Sequence, residues 1–144
     1  MKILVLHGPN LNLLGTREPG VYGSLTMEDI NARCVALGRE LGAEVRCAQS
    51  NHEGALIDAL HEARGWAVGV VFNPGGYTHT SVALRDAISA IGIPVVEAHL
   101  SNVYAREDFR HKSLVSAVCK AKISGAGWRS YTLALRFLVE LAGD

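Results

Sequence analysis

The stretch that decides the fold is VGVVFNPGGYTHTSVALRDAISAI, residues 68–91. Its apolar run at 68–72 has the length and composition of a buried strand, and the loop that follows contains a proline and two glycines. Residues 79–91 then repeat apolar side chains at helical spacing. A strand, a loop and a helix in this order predict part of a βαβ unit, in which helices connect parallel strands.

The same alternation continues through the rest of the chain. Further strands are predicted at residues 3–6, 45–48, 95–98 and 118–123. Further helices are predicted from a cap at Thr26 to about residue 41, at 53–64 and at 128–141. Residues 106–113 predict only a turn or a brief helix. Five strands in this rhythm predict a flavodoxin-like three-layer α/β/α fold with a five-stranded parallel sheet.

Composition sets limits on size, compartment and partners. The 144 residues, 49% of them hydrophobic, fit a single domain over 1–144. The 14 basic and 14 acidic residues cancel, so the single-sign field of a nucleic-acid or membrane binder is not expected. The first apolar run ends at His7-Gly8-Pro9, too early for a signal peptide, and three cysteines without metal-ligand spacing indicate reduced thiols. We therefore predict a cytoplasmic protein without a metal site.

In folds of this class, ligands bind beyond the carboxyl ends of the strands. The loops after strands one, three and four, residues 7–25, 73–78 and 99–110, contain most of the unusual polar residues. The first loop is longer than most strand-to-helix connections, but it lacks the Lys-Ser/Thr that ends a nucleotide-binding Walker A loop.

Tyr22 in the first loop is a candidate base. Gly20 and Gly23 lie on either side of it, and Arg17 is close in sequence. A nearby cation favours the phenolate and lowers a tyrosine pKa that is ordinarily near 10. The alternative is that Tyr22 only packs the loop while Arg17 is solvated.

Glu97 and His99 are two residues apart at the end of a predicted strand, so their side chains point to the same face. A carboxylate beside an imidazole can orient the ring and hold its proton, as a general acid requires. Arg106 and Arg110 follow at a spacing that one helical turn would place on one side, which suits a carboxylated or polyhydroxylated ligand. A polar strand end and two solvated arginines are the alternative interpretation.

Residues 73–81 lie between a strand and a helix and could accept a ligand. Their glycines allow close approach to the backbone, and free helix N–H groups favour an anion or a hydroxyl oxygen. A plain turn capped by Thr78, with His79 completing the cap, explains the same residues equally well.

Several segments, in this order along the chain, resemble type II 3-dehydroquinate dehydratases. They are HGPNLN at 7–12, REP at 17–19, YG at 22–23, NPG at 73–75, THTSVALRD at 78–86 and EAHLSN at 97–102. The resemblance spans nearly the whole chain. It implies a flavodoxin-like fold, assembly as a homododecamer of four trimers, and dehydration of 3-dehydroquinate in the shikimate pathway without a cofactor.

The resemblance also implies roles for individual residues. Tyr22 would remove the proton beside the ketone, helped by Arg17 and with Arg106 near the phenol, and His99, oriented by Glu97, would protonate the departing hydroxyl. Asn10 would hold the water that stabilises the enolate oxygen. The remaining positions would bind substrate: Asn73, Gly75, His79, Leu100, Ser101 and Arg110, with Asp86 reaching the site of a neighbouring subunit.

The chain departs from the family pattern at three positions. Tyr104 stands where a histidine is expected, Gly76 where alanine is common and Ser130 where glycine is frequent. Of these, Tyr104 bears on the loop that carries Arg106.

Two other functions compete with this one. A lysine Schiff base could give the same product, although the four lysines are poorly placed for it. A flavodoxin-like nucleotide- or flavin-binding module could use the same fold.

Overall fold

The computed structural model describes residues 1–16, 20 and 24–144. Within these residues the strands are β1 (Lys2–His7), β2 (Glu44–Gln49), β3 (Gly69–Asn73), β4 (Val95–His99) and β5 (Ala121–Ser124). They form one parallel sheet in the order β2-β1-β3-β4-β5. This is the flavodoxin-like strand order, so the predicted fold class is confirmed.

Four helices of the described chain cover the two faces of the sheet. They are α1 (Met27–Glu40), α2 (Glu53–Ala63), α3 (Val82–Ile91) and α4 (Arg129–Ala142). Helices α1 and α4 pack on one face, and α2 and α3 on the other. None of these helices is long and apolar enough to cross a membrane.

Strand β1 shows how the sequence builds the two layers. Ile3 and Val5 belong to the core under α1 and α4, whereas Leu4 and Leu6 belong to the core under α2 and α3. Alternate residues of a strand point to opposite faces, so a strand buried on both sides is apolar throughout. The parallel arrangement then places the carboxyl ends of β1, β3 and β4 at one edge of the sheet.

Two predicted boundaries were wrong by three residues. The fifth strand begins at Ala121 rather than at 118, because residues Ser116–Val118 form a 3₁₀ turn. The third helix begins at Val82 rather than at 79, because Ser81 is its cap and accepts a hydrogen bond from the Leu84 N–H at 2.9 Å. Thr78 is not the cap.

The loops after β1 and β3 are packed directly against each other. The Gly8 N–H donates to the Asn73 carbonyl at 2.7 Å. A Cβ atom on Gly8 would lie 2.5 Å from the carbonyl carbon and oxygen of Pro74. Gly75 has a φ of +60° and approaches Pro9 from the other loop. These glycines therefore let the loops after β1 and β3 approach each other closely at the carboxyl edge of the sheet.

We expect Gly8→Ala to reduce the free energy of unfolding by about 1–3 kcal/mol, because its methyl group must push backbone aside. Gly76→Ala is the control, since a Cβ there would meet nothing within 4 Å, and its effect should stay within about 0.5 kcal/mol. Urea unfolding of both variants measures the difference. Equal stability of the two would show that the loops separate without cost.

Candidate active site

A cavity of about 190 Å³ opens at the carboxyl ends of β1, β3 and β4. Most of the predicted catalytic and binding residues line it: Asn10, Asn73, Gly75, His79, His99, Leu100, Ser101, Arg106 and Arg110. Its lining contains two arginines and two histidines, and no carboxylate among the described residues. The cavity therefore suits a small, anionic, oxygen-rich molecule.

A wider groove of about 440 Å³ adjoins this cavity and shares Leu100 and Ser101 with it. Its other described lining residues, including Leu25, Ile30 and Trp128, contain no ionisable group. The acid–base chemistry therefore belongs to the smaller cavity.

Glu97 is fully buried beside the cavity. Its carboxylate accepts hydrogen bonds from Thr78 Oγ1 at 2.8 Å, from Ser113 Oγ at 3.1 Å and from the Ser116 hydroxyl. Burial alone would raise the pKa of Glu97, but the bond and charge of His99 and the serine and threonine hydroxyls together lower it. The side chain is thus a carboxylate without access to solvent.

His99 lies between this carboxylate and the cavity. Its Nε2 is 2.5 Å from Glu97 Oε2, and the residue is 6% exposed. Within the described chain no hydrogen bond occupies its Nδ1. The predicted side-by-side placement of Glu97 and His99 is therefore present, with one ring nitrogen held and the other available to a ligand.

His79 lines the same cavity from the 3₁₀ turn after β3. Its Nδ1 is 2.7 Å from the Lys112 carbonyl oxygen, so Nδ1 carries a proton and donates it. Burial lowers the pKa of His79, which favours the neutral ring. Its Nε2 is then a hydrogen-bond acceptor.

Arg106 and Arg110 both line the cavity, but not from one helical turn. Arg106 has extended backbone after the 3₁₀ turn Val103–Ala105, and Arg110 ends the next such turn. Glu107 accepts from Arg110 Nε at 2.7 Å. The two guanidinium groups therefore meet the cavity through loop geometry that the spacing alone did not predict.

Asn10 and Asn73 are fixed by backbone contacts. Asn10 has a φ of +69°, a conformation that asparagine tolerates, and its N–H donates to Asn51 Oδ1 at 3.0 Å. Asn73 Oδ1 accepts from the Gly75 N–H at 3.0 Å. The backbone of Asn10 and the side chain of Asn73 are thereby held at the cavity wall.

The other predicted residues are placed differently. Asp86 is exposed on α3 and does not line the cavity of its own chain. Tyr22 and Arg17 lie outside the described residues. All four lysines are described, and none of them lines the cavity.

Sequence reasoning missed three hydroxyl residues, Thr78, Ser113 and Ser116, which hold Glu97. Ser113 and Ser116 lie 16 and 19 residues after it, in a segment without a motif. Two serines three residues apart occur in many turns, so their spacing alone does not predict a contact with a buried carboxylate.

Comparison with known proteins gives a consistent result. The family model described as dehydroquinase class II matches residues 1–139. The chain is 60% identical over 143 residues to the 3-dehydroquinate dehydratase of Pelotomaculum thermopropionicum, covering 99% of each. It is 62% identical over 136 residues to that of Rhizobium etli, covering 94% of each.

A solved structure agrees with the sequence comparison. The type II dehydroquinase from Butyrivibrio crossotus superposes with a TM-score of 0.94 at 46% identity, covering 96% of this chain and 97% of that one. The chain therefore belongs to the class II dehydroquinase family.

Proposed function

We propose that this chain eliminates water from 3-dehydroquinate through an enolate, with Tyr22 as the base and His99 as the acid. Membership of the family makes the chain a hydro-lyase of the shikimate pathway, and the product is 3-dehydroshikimate. The observation that carries the proposal is the His99 ring, held by a buried carboxylate at the wall of a cationic cavity.

The reaction has two steps, proton removal by a base and loss of the hydroxyl group with the help of an acid. Removing the proton beside the ketone leaves the electron pair on the ketone oxygen as an enolate, and hydrogen bonds aimed at that oxygen lower the barrier. The enolate then expels the hydroxyl group, which takes a proton from His99 and leaves as water. Glu97 stabilises the imidazolium before that transfer.

The substrate contacts follow the cavity lining. We assign the substrate carboxylate to the backbone at Leu100 and to Ser101, and the ring hydroxyls to Asn73, His79 and Arg110. Asn10 would hold a water on the enolate oxygen. Gly75 brings backbone close to the ligand, and Arg106 adds positive charge near the base.

The experiment that tests the proposed function is direct. Purified protein mixed with 3-dehydroquinate should produce the ultraviolet absorbance of a conjugated enone, at a rate proportional to protein concentration. Borohydride added with the substrate should leave the activity intact, because no lysine reaches the cavity to form a trappable imine. A covalent adduct of substrate and lysine would instead support the Schiff-base route. A yellow sample, or one carrying nucleotide, would favour the flavin- or nucleotide-binding module.

We further propose that the chain is one cytoplasmic catalytic domain that assembles as a homododecamer. Val82 and Asp86 lie one turn apart on α3, and Val82 is 59% exposed. Phe109 beside the cavity is 62% exposed. An exposed valine one turn from an acid fits a subunit contact through which Asp86 reaches a neighbouring site. Sedimentation should give a particle of twelve 15.4 kDa chains, and a monomer would contradict the assembly.

Glu97→Gln should lower kcat by about 10², because an amide cannot neutralise the imidazolium form of His99. A lower kcat has two candidate causes here, since the hydroxyls of Thr78 and Ser116 also lose a charged acceptor in Glu97→Gln. Thermal unfolding of the same samples separates lost acid catalysis from lost folding. Glu62→Gln, on the exposed side of α2, is the charge-matched control and should behave as the unmodified protein. An unchanged kcat in Glu97→Gln would remove the carboxylate from the mechanism.

A further inference from the structure

The buried carboxylate of Glu97 is surrounded by hydrogen-bond donors from three segments of the chain. His99 Nε2 is 2.5 Å from Oε2, and Thr78 Oγ1 is 2.8 Å from the same oxygen. Ser116 donates its hydroxyl to Oε1, and Ser113 Oγ is 3.2 Å from Oε1 and 3.1 Å from Oε2. An ionised carboxylate accepts hydrogen bonds at about four positions. The imidazole and the three hydroxyls therefore use the whole acceptor capacity of Glu97.

The hydroxyl of Ser113 is a donor to Glu97 and cannot accept from it. Ser113 Oγ accepts from the Val115 N–H at 3.2 Å and from the Ser116 N–H at 3.0 Å. A hydroxyl has two lone pairs and one proton, so these two backbone bonds leave only the proton for the carboxylate. A protonated Glu97 would need an acceptor, which Ser113 does not offer. This serine therefore favours the carboxylate over the carboxylic acid.

The other ionisable groups near Glu97 in the described chain do not donate to its carboxylate. Lys122 is its neighbour on β5, but the ammonium lies over the Tyr104 ring, 5.3 Å from the ring centre. The Cys119 thiol is neutral, because burial raises its pKa to about 12. Burial lowers the pKa of His79, which favours its neutral ring. The serine and threonine hydroxyls are therefore the groups that stabilise the anion together with the imidazole.

The ionisation state of Glu97 decides whether His99 can act as an acid. With Glu97 ionised, the protonated ring directs Nε2–H at the carboxylate and keeps Nδ1–H available to a ligand. If the Nε2 proton moved to Glu97, the ring would become neutral with its proton on Nδ1. A neutral imidazole is far too weak an acid to protonate a departing hydroxyl. Donors that hold Glu97 as the anion therefore preserve the acid form of His99.

We propose that Ser113 and Ser116 are positioning residues that hold Glu97 as a carboxylate and thereby keep the proton of the pair on His99. The inference rests on the proposed function, because it takes His99 as the acid. Neither serine lines the cavity, so both act through Glu97 and not on the substrate. Their removal should therefore affect the chemical step and not substrate binding.

Steady-state kinetics test the first part of this role. Ser116→Ala should lower kcat for 3-dehydroquinate about tenfold, the effect of one hydrogen bond to a charged group, and leave KM unchanged. Ser116→Thr keeps a hydroxyl and should retain most of kcat. Ser113→Ala should also lower kcat about tenfold, and it is the second variant in case Ser116→Ala does not fold. A raised KM with unchanged kcat, or equal losses in Ser116→Thr and Ser116→Ala, would overturn the proposal.

Infrared titration tests the ionisation of Glu97, which a merely structural role of the serines would leave unchanged. In the unmodified protein the pKa of Glu97 is lowered to about 2, so the C=O stretch of its carboxylic acid should grow in only near that pH. In Ser116→Ala the midpoint should be about one pH unit higher, because the anion loses a donor that stabilised it tenfold. Absence of this band from the double variant Ser116→Ala/Glu97→Gln assigns it. An unmoved midpoint would overturn the proposal.

Ser50→Ala is the matched control. Ser50 Oγ accepts from the His52 N–H at 3.0 Å, a turn bond like the one that Ser113 accepts, but Ser50 donates to no carboxylate in the described chain. The variant should leave kcat and the titration of Glu97 unchanged. A loss of kcat as large as that of Ser116→Ala would mean that loss of any serine turn has this effect, and would overturn the assignment.

The unmodified protein separates the two proposals. Without turnover of 3-dehydroquinate the proposed function fails, whereas the infrared titration still decides whether the serines hold Glu97 as the anion. Turnover by the unmodified protein, with unchanged kcat and an unmoved midpoint in Ser116→Ala, rejects only the role of the serines.

Discussion

His99→Ala is expected to lower kcat for 3-dehydroquinate by about 10³, within the range that a general acid contributes. Without the imidazole, hydroxide must leave the enolate unprotonated. The described cavity lining offers no second acid held by a carboxylate, because Glu97 bonds to His99 and His79 donates to the Lys112 carbonyl. Steady-state assays of the ultraviolet product signal measure the loss.

Two controls separate acid catalysis from packing. His61→Ala changes an exposed histidine on α2 and should leave kcat unaltered. Imidazole added to His99→Ala should restore part of the rate, because a small diffusible acid can occupy the vacated space beside Glu97. A variant that turns over at a near-normal rate would assign protonation of the leaving group to another residue.

The Glu97–His99 pair shows what a sequence can reveal about a site. Their side chains lie on one face because residues two apart on a strand point the same way. In the structure, His99 Nε2 is 2.5 Å from Glu97 Oε2. The three hydroxyls around Glu97 could not be found in this way. Thr78 approaches from the 3₁₀ turn after β3, and Ser113 and Ser116 approach from the segment before β5. Only the folded chain brings these segments together.

The fold was predictable because local patterns agree with the tertiary structure. Apolar runs and helical periods gave the strand and helix order, and the Thr26–Asp29 capping box marked the start of α1. The start of α3 was not predictable, because the hydroxyl expected to cap it, that of Thr78, donates to Glu97 instead. At this helix start, the contact of the Thr78 hydroxyl with Glu97 outweighs its local preference for capping.

The hydrogen bond between His7 and Tyr131 could not be predicted from the sequence either. His7 and Tyr131 are 124 residues apart, and no spacing pattern in the sequence links them. They meet because His7 continues the face of β1 that carries Ile3 and Val5, and α4 packs on that face.

The assignment of the base depends on Tyr22 in the first loop. Among the residues that line the described cavity, His79 is the alternative base. His79 keeps Nδ1–H on the Lys112 carbonyl, so its Nε2 could accept a proton. Burial, however, lowers the pKa of His79, with the charges of His99 and Arg110 acting in the same direction. A base of lowered pKa is a weak acceptor for a carbon-bound proton. A phenolate is intrinsically more basic, and a phenol that reached the cations of this cavity would be favoured in its ionised form.

Tyr22→Phe should therefore lower kcat by about 10³ while the protein stays folded. His79→Asn keeps a polar side chain at the cavity but removes the imidazole, and it should raise KM more than it lowers kcat, as expected for a residue that only binds the substrate. Tyr77→Phe, which loses a phenol that bonds the Asn51 carbonyl, controls for the removal of a hydroxyl. A substrate deuterated at the carbon beside the ketone should show a larger isotope effect on kcat in Tyr22→Phe, because proton removal becomes slower than every later step. Near-normal turnover by Tyr22→Phe, together with a collapse of kcat in His79→Asn, would move the base to His79 Nε2 and leave the acid assignment of His99 in place.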